Sequence, residues 1–318
     1  MRLAFFAALL AIVSSQALAA IGQPIDLDAP SGRISGSLLL PDRAAKPPVA
    51  LIIAGSGAID RDGNYPGPPD GRIDNLKQLA QALSDAGIAS LRYDKRAIAA
   101  SRAAGLDEGK LHFDDYVADA AGWIAKLRAD PRFSSVMVIG HGEGALIGML
   151  AAGKQPVAVF VSLNGPARNA ADILRAQLKP RLPEHLAKAS ERILQALQQG
   201  READNVPGPL MVVYRPSIQP YLISWFRYTP SQVVQSLRIP MLIVQGTADR
   251  QVDKQEALAL HTAQPDSRLA LINGMDHLLH GDGSSSRPVS QQDQAPPLAP
   301  ELAGTIAGFL KQAAPAEK

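Results

Sequence analysis

Short apolar runs alternate with amphipathic stretches along most of the chain. Runs of strand length, rich in β-branched and aliphatic residues, occupy positions 33–40, 49–54, 88–93, 136–140, 157–162, 240–245 and 268–272. Between them, apolar residues recur at helical spacing at 75–86, 114–130, 255–262 and 301–311. Asp114 or Asp115 is the expected N-cap of the second of these helices. Strands that alternate with amphipathic helices predict an α/β fold with a mostly parallel central sheet and helices on both faces.

The alternation lapses between positions 165 and 239. Helical patterns at 171–178 and 184–199 precede an aromatic-rich stretch at 215–228, in a chain with only 5% aromatic residues. We interpret 165–239 as a helical lid inserted into a core formed by 20–164 and 240–318. Tyr221, Trp225 and Phe226 are the predicted substrate-binding residues, because ligand pockets are commonly lined by apolar and aromatic side chains. The alternative is that these side chains fill the core of the insertion itself.

The N-terminus is typical of an exported protein. Arg2 precedes an apolar run, and 17–19 supply a small-x-small cleavage pattern, so residues 1–19 are a predicted signal peptide. A membrane anchor is the alternative, but the apolar run is shorter than the roughly 20 residues of a spanning helix. We therefore expect a bacterial periplasmic or secreted protein with no membrane span after cleavage. The chain contains no cysteine, which excludes disulfides and thiol catalysis.

Charge and motifs narrow the classes of partner. Lys and Arg number 32 against 30 Asp and Glu, which gives no electrostatic footprint for nucleic acid. No nucleotide-binding pattern is present, so no cofactor is predicted. The run from Asp60 to Asn64 is like the start of a calcium loop, but Gly71 stands where that loop needs glutamate. We interpret it as structural, predict no metal, and interpret 94–96 as ion-paired. Nothing indicates the oligomeric state.

The stretch 136–148 carries the strongest motif. A β-branched run ends at Gly140, glycine recurs at Gly142 and Gly144, and an apolar helix follows at once. The frame Gly-His-x-Glu-Gly resembles the nucleophile elbow of α/β-hydrolases, in which a serine stands on a strained turn between strand and helix. Here the middle residue is Gly142. The surroundings of a nucleophile are present and its hydroxyl is not.

The chain resembles the α/β-hydrolase superfamily over nearly all of its mature length. Within it, the chain resembles exported bacterial esterase and lysophospholipase-like proteins that carry Ala-Gly-Ser-Gly, Asp-Arg-Asp-Gly-Asn and Arg-Tyr-Asp-Lys-Arg, motifs found here at 54–57, 60–64 and 92–96. The order nucleophile, acid, histidine implies that Asp249 is the acid and His277 the base. The resemblance also implies an oxyanion hole made by the backbone N–H groups of Glu143 and of Ser56 or Gly57.

Each of these assignments has an alternative. The alternative for Asp249 is a helix cap and for His277 a loop histidine, while His280 competes for the role of base. His141 is more readily interpreted as packing under the elbow. Residues 97–101 stand where glycines usually follow the third motif, which indicates either an altered loop or relaxed constraint.

Three functions remain open for a small-molecule ester or acyl ligand. The first is an exported serine esterase or acyl hydrolase whose covalent catalysis is disabled by Gly142. The second is a natural pseudoenzyme that binds an acyl or aryl ligand under the lid. The third is a weak hydrolase in which His277 and Asp249 activate water. Ser56 and Ser101 are conceivable substitute nucleophiles, although neither lies in an elbow.

Overall fold

The computed structural model describes residues 22–42, 44–65, 72–105, 107–281 and 295–313. The predicted signal peptide at 1–19 lies outside these residues, as does most of the low-complexity stretch at 281–300. Within the described residues, strands form a single sheet: β1 Gln23–Ala29, β2 Gly32–Leu39, β3 Val49–Ile53, β4 Ala89–Tyr93, β5 Val136–His141, β6 Val159–Leu163, β7 Met241–Gly246 and β8 Arg268–Ile272.

The sheet is mostly parallel and has the order β1-β2-β4-β3-β5-β6-β7-β8. β1 pairs antiparallel with β2, and β2 pairs antiparallel with β4, whereas every later pairing is parallel. This confirms the predicted α/β-hydrolase sheet. β5, which leads into Gly142, lies between β3 and β6 near the centre, where parallel strands are covered on both faces.

The helices in the described part of the chain are α1 Asn75–Asp85, α2 Phe113–Ala129, α3 Glu143–Lys154, α4 Ala170–Leu178, α5 Glu184–Gln198, α6 Met211–Tyr214, α7 Gln219–Trp225, α8 Pro230–Val233, α9 Lys254–Ala263 and α10 Pro300–Ala313. They cover both faces of the sheet. Leu51 in β3 belongs to the core that contains α2 and α3, and its neighbour Ile52 belongs to the core that contains α1 and α10. Successive strand residues therefore face opposite layers.

The predicted start of one helix is wrong. α2 begins at Phe113 with His112 as its N-cap, and neither Asp114 nor Asp115 has that position. Asp115 instead accepts the backbone N–H of His112 through Oδ2 at 2.9 Å, as a third-position acid does in a capping box. The helix thus uses the aspartate from inside its first turn.

The segment 165–239 is helical and lies between β6 and β7, and we call it the helical insertion. It contains α4 to α8 and short 3₁₀ turns. α7 packs on α2, and α8 packs on α3. Among the described residues, no helix has both the length and the apolar character that crossing a membrane requires.

Candidate active site

The elbow is built by three glycines with two different functions. Gly142 connects β5 to α3 with φ 54° and ψ −118°, a conformation that L side chains rarely adopt. A Cβ on Gly140 would lie 2.2 Å from the Gly144 carbonyl oxygen, and one on Gly144 would lie 2.4 Å from that of Ile53. Gly140 and Gly144 are therefore needed because the backbone packs closely around them, whereas Gly142 is the residue with positive φ that forms the turn.

Asp249 and His277 form a hydrogen-bonded pair. His277 Nδ1 lies 2.7 Å from Asp249 Oδ2, and the Asp249 side chain is fully buried. The other carboxylate oxygen accepts the backbone N–H groups of Gln251 at 2.7 Å and Val252 at 2.9 Å. These bonds fix the orientation of the Asp249 carboxylate. Because this carboxylate accepts a hydrogen bond from His277 Nδ1, the ring proton is on Nδ1 and the lone pair of Nε2 is available.

His277 Nε2 faces Gly142. A Cβ built on Gly142 would lie 3.6 Å from Nε2 and 3.7 Å from the Cα of Gly55, both ordinary van der Waals distances. A serine hydroxyl one bond further would come within the hydrogen-bond reach, about 2.6–3.2 Å, of a nucleophile and its base. The structure thus brings together the three positions Gly142, Asp249 and His277, with no hydroxyl at the first.

The alternatives for the acid and the base are not favoured. α9 is capped by Asp253, whose side chain accepts the Gln255 N–H at 2.8 Å, so Asp249 is not its cap. His280 is buried and its backbone N–H donates to Asp276 at 2.8 Å. It is His277, and not His280, whose ring is bonded to Asp249.

His141 is packed beneath His277. Its Nε2 is 2.9 Å from the His277 carbonyl oxygen, and the two rings have centroids 5.0 Å apart. Burial, followed by the neighbouring charge of His277, lowers the pKa of His141 from 6.5 to about 3. His141 is therefore neutral at physiological pH and donates to the carbonyl, which supports its interpretation as a residue that packs under the elbow.

The predicted oxyanion residues lie on both sides of the elbow. Glu143 begins α3, and Ser56 and Gly57 are exposed in the loop after β3, beside Gly55, whose Cα borders the Gly142 position. Lys95 joins the two segments. Its Nζ donates to the Gly55 carbonyl at 2.6 Å and to Glu143 Oε1 at 3.0 Å. The backbone N–H groups of these residues remain the predicted donors to a bound oxyanion.

The Lys95–Glu143 pair is covered by two tyrosines. Lys95 Nζ lies 5.0 Å from the centre of the Tyr116 ring, a cation–π contact. Burial and the Glu143 charge raise the pKa values of both Tyr116 and Tyr221, because both hydroxyls lie near the buried Glu143 carboxylate. The helical insertion therefore contacts the elbow through Tyr221.

The three predicted substrate-binding aromatics lie mainly against α2. Tyr221 and Phe226 are buried, and Trp225 is half-buried and stacks on Phe113 with ring centroids 5.8 Å apart. Tyr221 also packs against Tyr116 at 5.6 Å. These contacts account for the aromatic cluster as the seam between insertion and core, and substrate contact by these side chains stays a prediction.

The charged motifs brace the loops around the site. Asp60 accepts the N–H groups of Asp62 at 2.9 Å and Asn64 at 2.8 Å, and Arg61 pairs with Asp94 at 2.6 Å. Arg96 forms a bidentate pair with Asp119 at 2.6 and 2.8 Å. Among the described residues, no three His, Cys, Asp or Glu side chains converge as metal ligands.

Asn164 is a positioning residue that sequence reasoning missed. It is fully buried at φ 48° just after β6. Its side chain donates to the Asp276 carbonyl at 3.0 Å and accepts the Gly246 N–H at 2.9 Å, so it links the loop that carries His277 to the end of β7. The Asn164-Gly165 dipeptide is a turn signal that marks such a position, although its distant partners are invisible in sequence.

The sequence is similar to those of known hydrolases. Residues 71–211 match the family model described as serine aminopeptidase, S33. Esterase EstD of Thermotoga maritima is 26% identical over 260 residues, which cover 80% of this chain and 60% of EstD. The chain therefore spans less than two thirds of that relative's length.

Solved structures of esterases share the fold. Est1E from Butyrivibrio proteoclasticus superposes with a TM-score of 0.58 at 16% identity, covering 91% of this chain and 98% of Est1E. The Pyrococcus furiosus esterase Pf2001 gives a TM-score of 0.58 at 15% identity, with 96% of each chain covered. These similarities show that the chain has the α/β-hydrolase fold, which known esterases share.

Proposed function

We propose that this chain is an exported protein of the serine esterase or acyl hydrolase type that binds a small carboxylic ester or acyl ligand and forms no acyl-enzyme. The observation that carries the proposal is the Gly142 position. Its backbone has a conformation rare for L side chains, and its missing side chain would face Nε2 of a histidine bonded to a buried aspartate. A covalent acyl hydrolase needs a nucleophilic hydroxyl on this turn and a fixed acid–base pair beside it. The chain has the acid–base pair and lacks the hydroxyl.

The first test is restoration of the nucleophile. Gly142→Ser is expected to hydrolyse a short p-nitrophenyl ester with a burst of nitrophenol that matches the enzyme concentration. Gly142→Ala is the matched control, because it has the same backbone strain and no hydroxyl. A folded Gly142→Ser protein that gives neither a burst nor a fluorophosphonate adduct would contradict an esterase-type site.

A natural pseudoenzyme, which binds an acyl or aryl ligand under the lid and has no catalytic role, is the second candidate. It is favoured because the loss of one hydroxyl leaves the Asp249–His277 pair and the N–H groups of the predicted oxyanion residues in place. A fluorinated ketone or a phosphonate monoester is expected to bind the unmodified chain, measured by calorimetry, with no fluorophosphonate labelling at Ser56 or Ser101. An adduct mapped to either serine would identify a different nucleophile and overturn this assignment.

Export is tested separately. The proposal predicts that the protein recovered from the periplasm or medium of an expressing bacterium begins at Ala20 or Ile21, as cleavage after 17–19 or one residue later requires. A protein that keeps its first residues and remains with the membrane fraction would favour the anchor alternative.

A further inference from the structure

We propose that the space beside the Gly142 Cα accepts a small neutral oxygen or nitrogen nucleophile, which His277 activates to take the acyl group from a bound ester. The inference rests on the proposed ester-binding function. It adds an activity, acyl transfer to an external acceptor the size of methanol or hydroxylamine.

The space is bounded by atoms suited to such an acceptor. The nearest atoms to a Cβ built on Gly142 are His277 Nε2 at 3.6 Å, His277 Cε1 at 3.7 Å and Gly55 Cα at 3.7 Å. All three are ordinary contact distances, so a Cβ bonded to Gly142 meets no close contact with these atoms, and the space beside His277 Nε2 is open there. Among the described residues, His277 Nε2 has no hydrogen-bond partner, whereas Nδ1 is held by Asp249 at 2.7 Å.

Size and charge define the acceptor. A serine side chain has two heavy atoms, as do methanol and hydroxylamine, so these molecules are acceptors of matching size. Being unbonded, they must lie at van der Waals distance from the Gly142 Cα, with the attacking atom within hydrogen-bond reach of His277 Nε2. When Nδ1 donates to the carboxylate, Nε2 can take a proton. The acyl acceptor must therefore be a neutral molecule with an O–H or N–H proton to give to Nε2. The acceptor is untethered and loses the entropic advantage of a bonded hydroxyl, so we expect half-saturation only at a high concentration.

The reaction balances without any further reagent. The nitrogen of hydroxylamine attacks the ester carbonyl carbon, a C–N bond forms, and the proton of the attacking nitrogen passes to His277 Nε2. The carbonyl oxygen takes the negative charge and accepts hydrogen bonds from the predicted donors Glu143 and Ser56 or Gly57. The ester C–O bond then breaks, and the leaving oxygen takes the proton back from His277. The products are a hydroxamic acid and an alcohol.

The experiment follows hydroxamate formation from a p-nitrophenyl ester and hydroxylamine by mass spectrometry. The unmodified chain is expected to give a rate that saturates with hydroxylamine. His277→Ala is expected to lose about 10²-fold, as removal of a general base does. Gly142→Ala, which fills the space with a methyl group, is expected to lose about 10²-fold through misplacement of the acceptor. Gly153→Ala is the matched control, since nothing lies within 4 Å of the added Cβ.

A series of acceptors tests the same space without mutation. The measured quantity is the ratio of the rate with hydroxylamine to the rate with the bulkier N-tert-butylhydroxylamine. This ratio is expected to be larger with the protein than in buffer alone. Equal ratios, or equal rates for Gly142→Ala and the unmodified chain, would overturn the inference. If Gly142→Ser hydrolyses the ester while the unmodified chain forms no hydroxamate above the His277→Ala background, the external acceptor is wrong and the proposed function stands. If Gly142→Ser also fails to act on any ester, the proposed function fails.

Discussion

Lys95 and Glu143 form a buried ion pair, with Nζ 3.0 Å from Oε1, directly behind the elbow. The same ammonium group donates to the Gly55 carbonyl at 2.6 Å. One charged side chain from the end of β4 therefore holds both segments that carry the predicted oxyanion donors. The other basic residues of the motif, Arg92 and Arg96, are paired with Asp62 and Asp119.

Removing Lys95 is expected to destabilise the fold. Lys95→Met leaves the Glu143 carboxylate buried without its cation and should lower the free energy of unfolding by about 3–5 kcal/mol, because an unpaired buried charge is costly. The measurement is urea unfolding at neutral pH. The double variant Lys95→Met with Glu143→Gln is expected to recover part of the loss. The control is Lys110→Met, whose exposed pair with Asp107 should contribute at most about 1 kcal/mol. A similar loss in the two lysine variants would contradict a special role for the buried pair.

The backbone conformation of Gly142 predicts that a serine at this position gains activity and lowers the stability of the fold. Placing a side chain at φ 54° and ψ −118° is expected to cost about 1–3 kcal/mol, so Gly142→Ala and Gly142→Ser should both be less stable than the unmodified chain. Gly153→Ala, near the end of α3, is expected to be neutral or stabilising by about 0.4–1 kcal/mol. Midpoints of urea unfolding compare the three variants. If Gly142→Ala unfolds at the same midpoint as the unmodified chain, the turn is not strained.

The loop after the third motif contains left-handed alanines. Ala97 has φ 70° and Ala99 has φ 41°, in the left-handed region that glycine enters at least cost. An alanine in this region costs roughly 1–2 kcal/mol, whereas glycine loses about 0.4–1 kcal/mol through the freedom of the unfolded chain. Ala97→Gly is therefore expected to raise the melting temperature, and Ala100→Gly, at a neighbouring position without positive φ, to lower it. Two decreases would show that the loop does not need glycine and is an altered loop.

His141 predicts a loss of stability in acid. Its pKa is about 3 in the folded chain and 6.5 when exposed, so the unfolded state takes up the proton first as pH falls. The contribution of the neutral, buried His141 to the free energy of unfolding is fully present above about pH 6.5 and is lost progressively toward pH 3. Between about pH 7.5 and pH 5 it amounts to about 2 kcal/mol. Denaturant unfolding at the two pH values measures the change. The loss should be smaller in His141→Gln, which keeps a side-chain donor and does not titrate, and equal losses would exclude His141 as the cause.

Hydrophobic periodicity predicted most of the architecture from local signals. The strand-and-helix alternation, the glycine pattern at 140–144 and the order of Asp249 and His277 all depend on residues close in sequence to one another or to a strand end. β1 was missed although Ile25, Leu27 and Ala29 alternate with polar residues, because the strand is half-exposed at the edge of the sheet and has no continuous apolar run.

The contacts that position the site could not be predicted in the same way. The partner of Lys95 is Glu143, 48 positions away, and Asn164 reaches Asp276 across 112 positions. Such pairs are set by the order of strands in the sheet and not by spacing along the chain. The sequence identified these residue types as charged or turn-forming, and only the fold shows which loops they join.

The Gly142 turn also offers a chemical handle. The chain has no cysteine, so Gly142→Cys would introduce its sole thiol, at the start of a helix and facing His277 Nε2. Both surroundings favour the thiolate. The rate at which iodoacetamide alkylates that single sulfur, followed as pH changes, would titrate the histidine–aspartate pair directly, with no need to know which ester the protein binds.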